Sequence, residues 1–141
     1  MQFTIFADGG SRGNPGPAGS GAVVRDETGK IIIEVSEFLG NTTNNVAEYT
    51  GILRALEELG NYLGKNASET SVVVKMDSML VVKQMNGEYK IKHPNLIPLA
   101  HRVKELGKQF KSISFAHVYR EHNKEADKLA NLAMDKGMRR L

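Results

Sequence analysis

Apolar and polar residues alternate from the first positions, with Phe3, Ile5 and Ala7 on one face of a strand over residues 2–7 that ends at Asp8. Residues 9–21 are dense in glycine and proline and read as a loop. Two further strands, 22–25 and 30–38, flank a turn at Asp26-Glu27-Thr28-Gly29, which predicts a hairpin. After the polar turn 40–44, Val46, Ala47, Ile52, Leu53, Leu56 and Leu59 recur at helical spacing. Residues 60–71 read as a linker and 72–76 as a short strand of buried character. A helix opens at Asp77, runs to about Met85 and closes at Asn86-Gly87. Another follows His93-Pro94, with Leu96, Leu99, Ala100, Val103 and Leu106 on one face. Residues 113–119 form a fifth strand, and 123–136 a last helix with Leu129, Ala130 and Ala133 inward.

Three strands joined by tight connections should pair antiparallel, and two strands separated by helices should pair parallel. The fold class is therefore α/β: a five-stranded mixed sheet flanked by helices, one domain over residues 1–141. No internal repeat or low-complexity tract interrupts it. In such sheets ligands gather beyond the carboxyl ends of the parallel strands.

That rule gives four carboxylates a common destination. Asp8, Glu48, Asp77 and Asp127 each stand where a strand ends or near where a helix begins. Acidic groups brought from distant segments suit magnesium, which takes carboxylate and water oxygens and bridges to substrate phosphate. Each also has a plainer role. Asp77 can cap its helix, Glu48 can complete a capping box with Asn45, and Asp127 can be solvated or paired with Lys124 or Lys128. Asp8, between a buried strand and Gly9-Gly10, has no obvious structural partner.

Composition narrows the setting. There are 19 basic and 16 acidic residues, a net charge of +3, which suits a polyanionic partner without demanding one. No apolar run approaches the roughly 18 residues of a membrane span, so no membrane role is expected. Without cysteine there is neither a disulfide framework nor a thiolate metal site, and a cytoplasmic location is expected. The glycine-rich run from Asp8 to Pro17 is not a nucleotide loop: no Gly-Lys-Ser/Thr follows, and it leads into a strand instead of a helix. Its glycines suit close approach of backbone to a large substrate, or simply a turn.

Four motifs carry a resemblance. Asp8-Gly-Gly-Ser-Arg-Gly-Asn14-Pro-Gly-Pro, Asn41-Thr-Thr43-Asn44-Asn45-Val-Ala-Glu48-Tyr, Asp77-Ser78 after a hydrophobic strand, and Asn123-Lys-Glu-Ala-Asp127-Lys-Leu-Ala130 occur in this order over nearly the whole chain. Together they closely resemble type 1 ribonuclease H. The resemblance implies a ribonuclease H-like fold and an endonuclease that cuts the RNA strand of an RNA/DNA hybrid, leaving 5′-phosphate and 3′-hydroxyl ends. It implies two Mg2+ ions, replaceable by Mn2+, with Asp8 bridging both, Glu48 and Asp77 holding one, and Asp127 helping to hold the other. Gly9, Gly10, Asn14, Asn44 and Asn45 would lie in the minor groove of the hybrid, and Thr43 would hold a DNA phosphate. A monomer is expected, and double-stranded RNA is a second substrate to test.

The chain departs from the family pattern in three places. It lacks the tryptophan-bearing basic protrusion after the Asp77 helix and has only residues 83–94 there, so part of the substrate grip must come from elsewhere. Met79 stands where a glutamine often reaches the minor groove. The loop that usually supplies a histidine is shortened to Tyr119-Arg120-Glu121-His122, leaving His122 as the candidate for proton handling or product release, and a surface histidine as the alternative. The basic tail over residues 136–140 could add phosphate contacts or be a frayed terminus.

Overall fold

A computed structural model describes residues 1–139. Five strands, β1 (Gln2–Ser11), β2 (Gly16–Arg25), β3 (Ile31–Thr42), β4 (Ser71–Met76) and β5 (Ser112–His117), form one sheet in the order β3-β2-β1-β4-β5. The first three pair antiparallel, and β4 and β5 continue parallel to β1. Four helices flank the sheet: α1 (Asn44–Leu63), α2 (Met79–Met85), α3 (Ile97–Gly107) and α4 (Lys124–Arg139).

Period-two alternation makes the central strands. Phe3, Ile5 and Ala7 of β1 and Val72, Val74 and Met76 of β4 are buried, while Val73 and Lys75 are only half-buried. β4 is thus an alternating strand, not an all-buried one; Lys75 lies over the ring of Phe6, 5.7 Å from its centroid. The inward residues meet Ile52, Leu53, Leu56 and Leu59 of α1, which form the core together with Val81, Val103 and Phe110.

The glycine-rich segment differs most from expectation. Residues 9–21 are mostly strand: β1 continues to Ser11 and β2 starts at Gly16, leaving a turn of four residues. Glycine weakens a strand unless another backbone needs the space, and here helices need it on both faces. A Cβ on Gly9 would lie 2.3 Å from the Ala47 carbonyl carbon of α1, and one on Gly21 would lie 2.2 Å from the Ala126 oxygen of α4. The expected linker at 60–71 is also structured, since α1 runs to Leu63 and a 3-10 turn spans Gly64–Glu69.

Both expected caps shift. α1 is capped by Thr43, whose hydroxyl accepts from the Val46 N–H at 3.3 Å, so Asn45 and Glu48 do not form a capping box. α2 is capped by Ser78, whose hydroxyl accepts from the Val81 N–H at 3.3 Å, so Asp77 is free of capping duty. The C-terminal segment is helical through Arg139, with Gly137 buried where a Cβ would fall 2.1 Å from the Phe38 ring; it is not frayed over that length, and Arg140 lies outside the described residues.

Gly21→Ala should therefore force α4 off the sheet. We expect a loss of about 3 kcal/mol in urea unfolding, at the upper end for overpacking; a loss below about 0.5 kcal/mol would show that the helix can shift without cost.

Candidate active site

The parallel register sets Asp8 and Asp77 side by side. β1 and β4 pair from Gln2 with Ser71 to Phe6 with Lys75, so β4 ends beside the point where β1 carries Asp8 onward in its pairing with β2. Glu48 reaches that edge from the first turns of α1, and Asp127 from the start of α4. A cleft of about 440 Å³ is lined by Asp8, Glu48, Asp77 and Asp127 with Gly9, Gly10, Asn44, Asn45, Ser78 and Arg120. All four expected carboxylates meet there. A roomier cleft, about 620 Å³, lies near the C-terminal end of α2 and holds one carboxylate, Glu88, among Gln84, Tyr89, Lys90, His101 and Lys104. Chemistry, not size, singles out the smaller one.

Crowding of like charges shows in the acidities. Burial, then the Asp77 charge and contact with Asp127, push Asp8 up to about 8, against the pull of the Gly9 N–H that donates to its Oδ1 at 2.9 Å. Burial and the Asp77 charge push Glu48 up to about 7, with a hydrogen bond from Ser78 acting the other way. Among the described residues no three His, Cys, Asp or Glu side chains stand together as a finished metal cage. Mutual repulsion gives the reason: carboxylates without a counter-charge stay apart or hold a proton. The donor set is nonetheless one for a hard cation, since every ionisable acid lining the cleft offers oxygen and none offers sulfur or imidazole.

The flanking residues are tied into one frame. Asn44 Oδ1 accepts from the Ser11 N–H at 2.7 Å and from the Ser11 hydroxyl at 3.0 Å, and the Asn44 N–H donates to Asn14 Oδ1 at 3.1 Å. Asn14 thus braces the site without lining it. Thr43 also stands outside the lining; its hydroxyl oxygen serves the α1 cap, which leaves the O–H free to donate. His122 is exposed at the end of a short 3-10 turn, Arg120–His122, and does not line the cleft.

The chain is similar to known proteins over nearly its whole length. The family model described as "Reverse transcriptase-like" matches residues 6–133. The Bifunctional protein Rv2228c of Mycobacterium tuberculosis is 46% identical over 136 residues, 96% of this chain and 36% of that protein. Ribonuclease HI of Halobacterium salinarum is 38% identical over 130 residues, 92% of this chain and 63% of that protein. The crystal structure of LC11-RNase H1 in complex with RNA/DNA hybrid is 44% identical and superposes with a TM-score of 0.91 over 96% of this chain and 99% of that one.

The chain belongs to the type 1 ribonuclease H family. It spans about a third of the Mycobacterium relatives, 36% of their length.

Within this ribonuclease H site, two residues emerge that motif reading left without a role. Arg120 Nε lies 3.7 Å from Asp77 Oδ2 with its side chain 87% exposed, so a solvent-facing cation faces the cluster from the loop where a histidine was sought. Asn123 is buried at the base of α4; its Nδ2 donates to the Ala7 oxygen at 2.9 Å and reaches Asp77 Oδ1 at 3.5 Å, binding the last helix to both strand ends. The sequence signal for Arg120 was its position just past β5, beside Asp77. For Asn123 it was an asparagine directly before a helix.

Between about pH 4 and 8 the folded ribonuclease H domain keeps a proton on Asp8 that the unfolded chain releases, so stability falls as pH rises through that window. Asp8→Asn removes the effect. In EDTA its thermal midpoint should decline less from about pH 5 to 8 than that of the unaltered protein, ending on the order of 5 °C higher. Parallel curves would show that Asp8 is not held protonated.

Proposed function

We infer that this domain hydrolyses the RNA strand of RNA/DNA hybrids with divalent metal ions, leaving 5′-phosphate and 3′-hydroxyl ends. The observation that carries this is the convergence of four carboxylates from β1, α1, the end of β4 and α4 on one cleft that asparagines and the half-buried Gly9 and Gly10 also line. Asp8, Glu48, Asp77 and Asp127 would hold two Mg2+ or Mn2+ ions. When bound, these supply Lewis-acid chemistry: activation of water as nucleophile and stabilisation of the departing 3′ oxygen.

The rest falls to the chain's own groups. Arg120, exposed beside Asp77, supplies positive charge where a scissile phosphate enters. Ser78 and Asn123 orient Glu48 and Asp77. Gly9 and Gly10 let backbone approach the minor groove, where Asn44 and Asn45 can sense the 2′-hydroxyls that distinguish RNA from DNA. The Thr43 hydroxyl donates to a DNA phosphate. The basic protrusion is replaced by Lys83, stacked 4.9 Å from the Tyr89 ring centroid, with Lys90 and Lys104 at the larger cleft beyond α2.

Three tests follow. Asp77→Asn should cut the rate on hybrid roughly 1000-fold while hybrid affinity in Ca2+ changes less than about threefold; retained turnover would refute the metal assignment. Presented with labelled hybrid, double-stranded RNA and double-stranded DNA, the protein should cut hybrid RNA, and cleavage of DNA would sink the proposal. Paired Lys90→Ala and Lys104→Ala changes should weaken hybrid binding and lower its salt slope by about 2; an unchanged slope would place the grip elsewhere.

A further inference from the structure

Asp127 is the member of the carboxylate cluster that most needs outside help. Asp8 is buried and Glu48 and Asp77 are half-buried, whereas Asp127 is exposed on a helix surface with its neighbours Lys124 and Lys128 also exposed. Its contact with the buried Asp8 is made from a solvent-facing helix surface, so without a second partner its side chain would keep its rotamer freedom. Neither lysine pairs with it among the described ion pairs.

One turn later in α4, Asn131 supplies the restraint. Its Nδ2 donates to the Asp127 main-chain oxygen at 3.0 Å and lies 3.3 Å from Asp127 Oδ1. An asparagine amide can turn over and present its oxygen instead, which would repel the carboxylate. Arg12 prevents this. Its guanidinium has only donors, and Nη2 faces Asn131 Oδ1 at 3.4 Å, so the amide oxygen is drawn to Arg12 and the NH2 is left for Asp127. Arg12 is itself held, with Nη1 2.7 Å from Asp135 Oδ1 and 3.3 Å from Met138 Sδ. Asparagine is a poor helix former, so a mid-helix asparagine held in this way calls for a purpose beyond the helix.

Arg12 belongs to the β1–β2 turn, next to Ser11, which holds Asn44, and two residues before Asn14, which does the same. We propose that Asn131, oriented by Arg12, is a positioning residue that aims Asp127 at the metal cluster, and that this turn joins the metal side of the cleft to its groove-reading side. The proposal rests on Asp127 being a metal ligand.

The test compares Asn131→Ala, Arg12→Ala and Asp127→Ala with the unaltered protein. Three quantities are read: Mn2+ binding to the free domain by calorimetry, the Mg2+ concentration giving half-maximal hybrid cleavage, and the KM for hybrid at saturating Mg2+. Loss of a partner that orients a ligand typically weakens metal use about tenfold or more. Asn131→Ala should weaken Mn2+ binding and raise the Mg2+ requirement by about tenfold, and Arg12→Ala by about threefold, with KM within about twofold for Asn131→Ala. A merely structural role would lower the thermal midpoint and leave metal dependence unchanged. If Asp127→Ala loses cleavage while both other variants keep the metal dependence within twofold, the positioning role is refuted and the site assignment stands. Normal cleavage by Asp127→Ala would instead overturn the assignment beneath it. Should Asn131→Ala fail to fold, Arg12→Ala decides, because it removes an exposed side chain and leaves the helix intact.

Discussion

The parallel pairing of β1 with β4 sets two acids side by side: Asp8, inside β1 after Ala7, and Asp77, just past the end of β4 at Met76. The cost of that juxtaposition shapes the surroundings. Burial of Asp8 compounds the repulsion and raises its pKa to about 8. The core holds the arrangement: Ile5, Val74 and Met76 are fully buried against α1 and α2, so the strand ends cannot drift apart without exposing apolar surface. Tyr49, next to Glu48 in α1, ties the two helices together by donating its hydroxyl to Gln84 Oε1 at 2.8 Å. Like charges are thus held together by hydrophobic packing several residues away.

Much of this was readable from residue order. Alternation in β1, the 3.6-residue repeat of α1 and α4, and the helices between later strands led to the mixed sheet. The glycine segment was misread because glycine and proline signal turns in an isolated stretch. Its strand character comes from helices packed on both faces, where Gly9, Gly19 and Gly21 each leave no room for a Cβ. That is tertiary information, invisible to a local pattern. The caps failed for a related reason. Asp, Asn, Ser and Thr are all good caps, so a run such as Asn41-Thr42-Thr43-Asn44-Asn45 or Asp77-Ser78 leaves the choice to the packing of the helix that follows. Packing chose Thr43 and Ser78.

The four acids were legible because motif order tied them to a family, and the structure gathers them in one cleft. The network around them was not. Asn131 and Arg12 are 119 positions apart and meet only because α4 crosses β1 and β2. Arg120 reaches Asp77 because β5 pairs in parallel with β4, with Met76 opposite His117, so residues just past one strand stand beside residues just past the other. Sheet register, not sequence distance, decides which loop supplies charge to the cleft.

The raised pKa values of Asp8 and Glu48 would govern how the site fills with a cation. If these carboxylates hold metal as proposed, each that keeps a proton near neutrality would give it up when a cation arrives, and loading would exchange protons for metal. Apparent affinity for the cation would then climb with pH through the range from about 7 to 8 set by these two groups. The heat of loading depends on the buffer that accepts the released protons. At mildly acidic pH the retained protons would compete with the ion for the same carboxylates.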